Sequence, residues 1–337
     1  MYRSEGSFYK YFYNNVPIFK DLESYKNIMM KKNNHKQNLV WGTLLGAVNK
    51  LFIVNYLRFR PNDFSSQKRI TVNIWGENMM LPLNHRLPLY SHLYKDYSTN
   101  LRRVSRYLES RLGEYVSVDV GANIGDSAIL IRQGSKGKIV CIEGDKKYVE
   151  ILRSNLKDKK RKQIIQAFIG EKDTIIRGEL VKTEGTGSIN TKNAGVKTQV
   201  TTLDKIVSKR KIENIKLLKI DTDGFDGKVL RGAKKTILHN KPVIFFEFDQ
   251  VMYEKVGDST YEVLKYLYEM KYHAILVYDN FGKLIRGVKM ERLLSHNAFG
   301  AIFNYKDVNY YDLVAFHKKD TELYKYALRK EIEFFRR

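Results

Sequence analysis

Cysteine, histidine and acidic residues are all scarce in this chain of 337 residues, and each scarcity excludes something. A single cysteine, Cys141, sits inside an apolar run, so a disulfide framework is ruled out and a reducing compartment is the natural setting. The expected role of Cys141 is a buried structural thiol. Seven histidines show no metal-ligand spacing; His85 and His92 lie before the glycine turn, where a base at the site entrance is one reading and a surface or structural role the plainer expectation. No Gly-x-Ser-x-Gly elbow or Walker lysine motif occurs, which removes serine hydrolase and nucleoside triphosphatase chemistry. The opening Met-Tyr-Arg-Ser-Glu-Gly lacks the apolar core and cleavage site of a signal peptide, so a cytoplasmic protein is expected.

What is abundant is positive charge. Sixty Lys and Arg against 37 Asp and Glu leave a net charge of +23, densest at Lys157-Asp-Lys-Lys-Arg-Lys162. Such an excess suits nucleic acid, an anionic membrane surface or a polyanionic substrate, and equally a lysine-rich solvated surface. Neither an aromatic RNP pair nor a GXXG clamp accompanies it.

Residues 1–69 differ in texture from the rest and are expected to form a helical N-terminal extension, because apolar positions from Ile18 to Tyr56 fit helical spacing better than alternation. Within it, Leu39 to Leu57 approaches spanning length, but Asn49, Lys50 and Asn55 make insertion costly. A packed amphipathic helix is the plain expectation, and a helix lying on a membrane surface the sharper one. From Ile70 a hairpin is indicated by two strand-like pieces around Gly76-Glu-Asn. A helix near 98–111 follows, then alternation: strand 116–120, helix 125–133, strand 138–142, helix 145–156, strand 163–168, a polar loop, strand 198–202, helix 203–209, strand 215–221, helix 226–237, strand 242–248, helix 259–270, strand 273–278 and strand 309–316. Strands alternating with helices of this length make an α/β fold with a mostly parallel sheet and helices on both faces. The domain is placed at 70–337.

Ligands in such a sheet sit at the carboxyl ends of the strands. The first strand runs into Asp119, Gly121, Ala122, Asn123, Gly125 and Asp126, a tight turn in which glycines let the backbone approach a ligand. The Gly-x-x-x-Gly spacing departs from the Gly-x-Gly-x-x-Gly pattern that cradles a pyrophosphate, and so favours a nucleoside cofactor without phosphates. Glu143 ends the second strand 22 residues beyond Gly121, near the offset at which an acid grips ribose hydroxyls. Later strands end in Asp221, Asp223 and Asp226 and in Glu247. Asp223 and Asp226 also suit capping of the following helix. Asp221 and Glu247 are the candidate catalytic pair, as general base or as ligands of a divalent metal, with the metal question left open.

The successive segments Val118-Asp-Val-Gly-Ala-Asn-Ile-Gly-Asp126, Ile142-Glu143, Thr202-Leu-Asp204, Leu218-Lys-Ile-Asp-Thr-Asp-Gly-Phe-Asp226, Val229-Leu-Arg-Gly-Ala233 and Pro242 to Glu247 resemble the motifs of FkbM-like methyltransferases. The resemblance spans about 116–250. It implies a Rossmann-like seven-stranded methyltransferase sheet with one antiparallel strand, supplied by 309–316. It further implies S-adenosylmethionine as donor, and transfer to a hydroxyl oxygen of a sugar, glycan or glycolipid precursor. Asp223 and Asp226 stand where that family usually carries glutamate. An RNA methyltransferase and a non-catalytic scaffold in a glycan-assembly complex are the alternatives.

Overall fold

The computed structural model of the chain describes residues 69–336 apart from 84, 158–159, 178, 184–185, 191–196, 296–302 and 304–309. The expected helical extension over 1–69, with its 39–57 segment, lies outside the described residues. Among the described residues no helix is long and apolar enough to cross a membrane.

The hairpin forms from β1 (Arg69–Ile74) and β2 (Glu77–Pro82), turned by Trp75 and Gly76, both at positive φ. Helices α1 (Leu87–Leu93) and α2 (Thr99–Leu112) follow. The doubly wound body then runs β3 (Val116–Val120), α3 (Asp126–Gly134), β4 (Ile139–Glu143), α4 (Lys146–Asn155) and β5 (Lys162–Gln166). After the insertion described below it resumes with α5 (Leu203–Arg210), β11 (Ile215–Ile220), α6 (Asp226–Arg231), α7 (Lys234–Asn240) and β12 (Val243–Phe248). It closes with α8 (Gln250–Lys255), α9 (Thr260–Glu269), β13 (Tyr272–Asp279), β14 (Leu284–Lys289), α10 (Met290–Leu294), β15 (Tyr311–His317) and α11 (Thr321–Phe335).

The main sheet has the order β14-β13-β15-β12-β11-β3-β4-β5. Side-chain alternation divides its two faces. Val118, Val140, Leu218, Ile244 and Ala315 pack into one apolar cluster, while Cys141, Leu217, Phe245 and Val314 join the hairpin and α2–α4 in the other. From β3 the chain winds outward through β4 and β5, then returns to β11 and winds the opposite way. The switch point therefore falls between β3 and β11, where a crevice opens beyond the strand ends.

Several features differ from expectation, and α1, α8 and α10 were likewise not among the expected elements. The sheet has eight strands, not seven: β14 adds an edge to β13, because Asp279 Oδ1 accepts from the backbone N–H of Phe281 and of Lys283, both at 2.9 Å, and so closes a tight hairpin. β14 is thus a second antiparallel strand besides β15, which inserts between β12 and β13 as its segment implied. The polar stretch after β5 is not a loop. It builds a small sheet in which β10 (Lys197–Thr201) lies between β6 (Phe168–Ile169) and β7 (Thr174–Arg177), and a separate hairpin of β8 (Glu179–Thr183) and β9 (Thr186–Asn190). Its strands run only two to five residues, too few for hydrophobic periodicity to carry a signal. The helix expected over 226–237 breaks at Gly232, whose missing side chain is replaced by the carbonyl of Gly170. Asp204 then starts α7 anew by accepting from the backbone N–H of Lys235 and Thr236 at 2.9 and 2.7 Å. Finally, α11 was not anticipated and packs on α2.

Candidate functional site

At the switch point lies an open cleft of about 860 Å3, bounded by the tips of β3, β4, β11, β12 and β15, by α1, and by the small sheet. The β3 turn makes its rear wall. The N–H groups of Gly121 and Ala122 both donate to the Ile142 carbonyl, at 2.9 and 3.1 Å, which ties the turn to β4. Gly121, Asn123 and Gly125 all take positive φ. The need for glycine at 121 and 125 arises inside the protein, rather than from close approach of a ligand: a Cβ at 121 would overlap the Asp221 carbonyl, and one at 125 would press on Leu152.

Of the sequence-picked cofactor residues, Gly121, Asn123, Asp126 and Glu143 line the cleft, while Asp119, Ala122 and Gly125 stand behind it. Glu143 is half-buried at the tip of β4. Its Oε2 accepts from the Asn123 N–H at 2.9 Å and its Oε1 from the Asp145 N–H at 2.8 Å. Each carboxylate oxygen has a second acceptor site, so a diol can still be bound. Burial raises the Glu143 pKa, and the backbone donors work against that rise. Asp119 is fully buried, takes a hydrogen bond from Ser127 Oγ at 2.6 Å, and pairs with Lys219 at 3.2 Å.

Lys219 is a residue that the sequence reading quoted but gave no role. It lies opposite Asp119 in the β11–β3 register and is almost fully buried. Its Nζ donates to the Gly121 carbonyl at 3.0 Å and reaches Asp221 Oδ2 at 3.4 Å. Burial alone would lower the pKa of this ammonium group, but the carboxylates of Asp119, Asp221 and Asp126 outweigh that and hold it above its ordinary value. Its signal in the sequence is a lysine within the apolar run Leu217-Leu-Lys-Ile220, since a charge in a buried strand requires a partner.

The front of the cleft is acidic. Asp221, Glu247 and Asp312 sit on three neighbouring strands, β11, β12 and β15, with Glu247 directly opposite Asp312 in the register. The Asp221 side chain is 48% exposed, so it is the member of the group that an incoming molecule meets. Burial, followed by the charges of Asp221, Asp226, Asp223 and Asp312, drives Glu247 well above the usual carboxylate range. This favours the protonated form of Glu247 over the ionised one. Asp312 accepts from Asn100 Nδ2 at 2.8 Å and is pushed up to about 7, chiefly by burial. Asp126 is raised to about 6 for the same leading reason.

Asp223 and Asp226 take different places. Asp223 lines the cleft, whereas Asp226 is fully buried and holds the β11–α6 turn by accepting from Thr222 N and Oγ1 at 3.2 and 3.1 Å. Among the described residues no group of three or more His, Cys, Asp or Glu is arranged to hold a metal ion.

Aromatic rings complete the walls. Tyr148 and Phe168 stand on the Glu143 side. On the other side are Tyr90 and Tyr97, with ring centroids 5.3 Å apart, and Tyr310, whose hydroxyl meets that of Tyr97. His85 lines the same cleft; burial lowers its imidazole to about 4, partly opposed by the Asn123 side chain, so it is neutral at pH 7. His92 is exposed in the last turn of α1. Tyr90, Tyr97, Tyr310 and Asp312 lie far in sequence from the glycine turn, and no local pattern marks them.

Residues 119–274 match the profile described as the Methyltransferase FkbM domain. No curated protein sequence matches the chain. Among solved structures, the methyltransferase FkbM from Methylobacillus flagellatus KT is similar with 17% identity and a TM-score of 0.34, over 56% of this chain and 45% of that one. The match thus spans less than half of that protein's length. An O-methyltransferase from Bacillus cereus in complex with SAH is similar at 12% identity, TM-score 0.36, over 68% of this chain and 88% of that one. An rRNA methylase from Streptococcus thermophilus is similar at 12% identity, TM-score 0.36, over 63% and 93%.

Proposed function

Because this chain carries an FkbM-like methyltransferase domain, we propose that it moves a methyl group from S-adenosylmethionine to a hydroxyl oxygen of a sugar, glycan or glycolipid precursor. The observation that carries this reading is the convergence of Asp221, Glu247 and Asp312 on three adjacent strand tips in front of the Gly121 turn. The donor, when bound, supplies a methyl group on a sulfonium sulfur, open to in-line displacement.

The residues behind and around the turn fit such a donor. Glu143 keeps acceptor capacity for a ribose diol, and Tyr148 and Phe168 offer flat apolar walls for a purine. On the acceptor side, Asp221 takes the hydroxyl proton as methyl transfer proceeds, and Lys219 holds that carboxylate in place. Protonated Glu247 donates a hydrogen bond to a neighbouring acceptor oxygen. Tyr90 and Tyr97 line the acceptor side with aromatic surface, which suits the apolar face of a sugar. Asp221 and Asp223 at the cleft accept hydrogen bonds from hydroxyls, which suits a carbohydrate acceptor.

Incubation with methyl-labelled S-adenosylmethionine and fractionated glycans, glycolipids and RNA is expected to label a carbohydrate fraction. Label in RNA overturns the acceptor, and absence of donor binding in calorimetry turns the domain into a scaffold. Asp221→Asn is expected to slow transfer by about 10²–10⁴-fold with calorimetric donor affinity unchanged. Glu143→Ala is expected to weaken donor binding by about ten- to a hundred-fold.

A further inference from the structure

The edge of the sheet opposite the cleft is as basic as the cleft floor is acidic. Parallel strands β11, β12 and β13 begin at this edge and antiparallel β15 ends there. The register brings together residues at or flanking those ends: Lys216 is the second residue of β11, next to Leu217↔Val243, Lys241 lies just before β12, Lys271 precedes β13, and Lys318 and Lys319 follow β15. Lys318 N–H donates to the Lys271 carbonyl at 2.8 Å, so the two chain ends are stitched side by side. The same end gathers the charges of Lys216, Lys241 and Lys319, with the carboxylate of Asp320 among them.

Ammonium groups repel one another, and an oxyanion that accepts from several of them relieves that repulsion, as Asp320 does for part of this group. Part of the charge suits the helix C-termini at this edge, since Lys241 and Lys271 directly follow α7 and α9. Lys216 lies within β11, and Lys318 and Lys319 lie in the single 3-10 turn Lys318–Asp320 that leads into α11, so the ends of the α-helices do not account for these three.

We propose that this amino-terminal edge of the sheet docks on an anionic lipid surface, with lipid phosphates seated among Lys216, Lys241 and Lys319. The neighbouring apolar group favours lipid over nucleic acid. Leu238, on α7 three residues before Lys241, is 50% exposed and aliphatic, suited to the acyl boundary rather than to base stacking. A protein docked by this end holds its cleft facing away from the bilayer, which fits a sugar or glycan acceptor arriving from the aqueous side rather than a glycolipid of the same bilayer.

The test is co-sedimentation of the full chain with vesicles of neutral phosphatidylcholine and with vesicles containing phosphatidylserine, with and without competing RNA. Three proteins are compared: the natural chain, Lys216→Glu/Lys241→Glu/Lys319→Glu, and the charge-matched Lys146→Glu/Lys265→Glu/Lys325→Glu. Binding only to anionic vesicles is expected. The edge variant should lose about a hundred-fold or more in partitioning, at about five-fold per basic residue removed. The matched control should lose far less, and circular dichroism melting shows whether each variant is folded. Equal losses in both variants, unchanged binding by a folded edge variant, or RNA binding in place of vesicle binding would each overturn the proposal. If the edge variant does not fold, the same comparison is made with Lys216→Gln/Lys241→Gln/Lys319→Gln.

Discussion

Asp226 shows how burial turns one carboxyl into a pH-dependent part of the fold. Burial first, and then the charge of Asp221, pushes its pKa up to about 7, although Thr222 donates to it twice. In the unfolded chain the same group titrates near ~4. Between those values the folded protein binds more protons than the unfolded chain, so this contribution is fully present below about pH 4 and is lost as pH rises through about 7. Asp226→Asn, uncharged throughout and still able to accept from Thr222, is expected to flatten the fall of the melting temperature between about pH 4 and pH 7. Melting curves across that range check it, and a variant as steep as the natural protein counts against the assignment.

At the scale of elements, the turns that close the site are held by neighbouring chain rather than by ligand. Gly121 and Gly257 both have positive φ, but a Cβ at Gly257 meets open space while one at Gly121 overlaps the Asp221 carbonyl. Gly257→Ala should therefore cost only the backbone strain, about 1–2 kcal/mol. Gly121→Ala should cost at least about 3 kcal/mol, because β3 and β11 must separate as well. Urea midpoints of the two variants measure the difference, and equal midpoints would refute it. The strands and helices of the doubly wound body were legible because their apolar positions repeat at periods of two and 3.6. Of the small sheet only β10 was, as the strand expected at 198–202; β6 and β7 are too short for a period to show and take their place from tertiary pairing.

Across the whole molecule, one buried ion pair joins parts that the chain separates by more than two hundred residues. Arg103 on α2 meets Glu331 on α11 through two bonds, Nε to Oε1 at 2.8 Å and Nη2 to Oε2 at 2.9 Å, and also donates to the Gly282 carbonyl at 2.8 Å. Tyr107 adds a third donor to Glu331 at 2.8 Å. Glu331→Ala strands the arginine charge and is expected to cost about 3–5 kcal/mol. The paired change Arg103→Met/Glu331→Leu, which leaves no buried charge, is expected to recover most of that loss in denaturant unfolding. If the pair is as unstable as the single variant, the packing rather than the charge explains the effect.

The α/β class, the glycine turn with Glu143 behind it, and the acids at the tips of β11 and β12 could all be read from residue order, because each depends on a local period or a short spacing. Lys219 was visible only as a charge in an apolar strand, and its partners needed the β11–β3 register to be known. Tyr90, Tyr97, Tyr310 and Asp312 reach the cleft through the folding of α1, the start of α2 and β15 over the sheet, so no spacing in the chain announces them. The contrast between an acidic cleft and a basic opposite edge has the same origin. Net charge is a sum over composition, whereas its separation into two ends depends on which strand ends the sheet order places side by side.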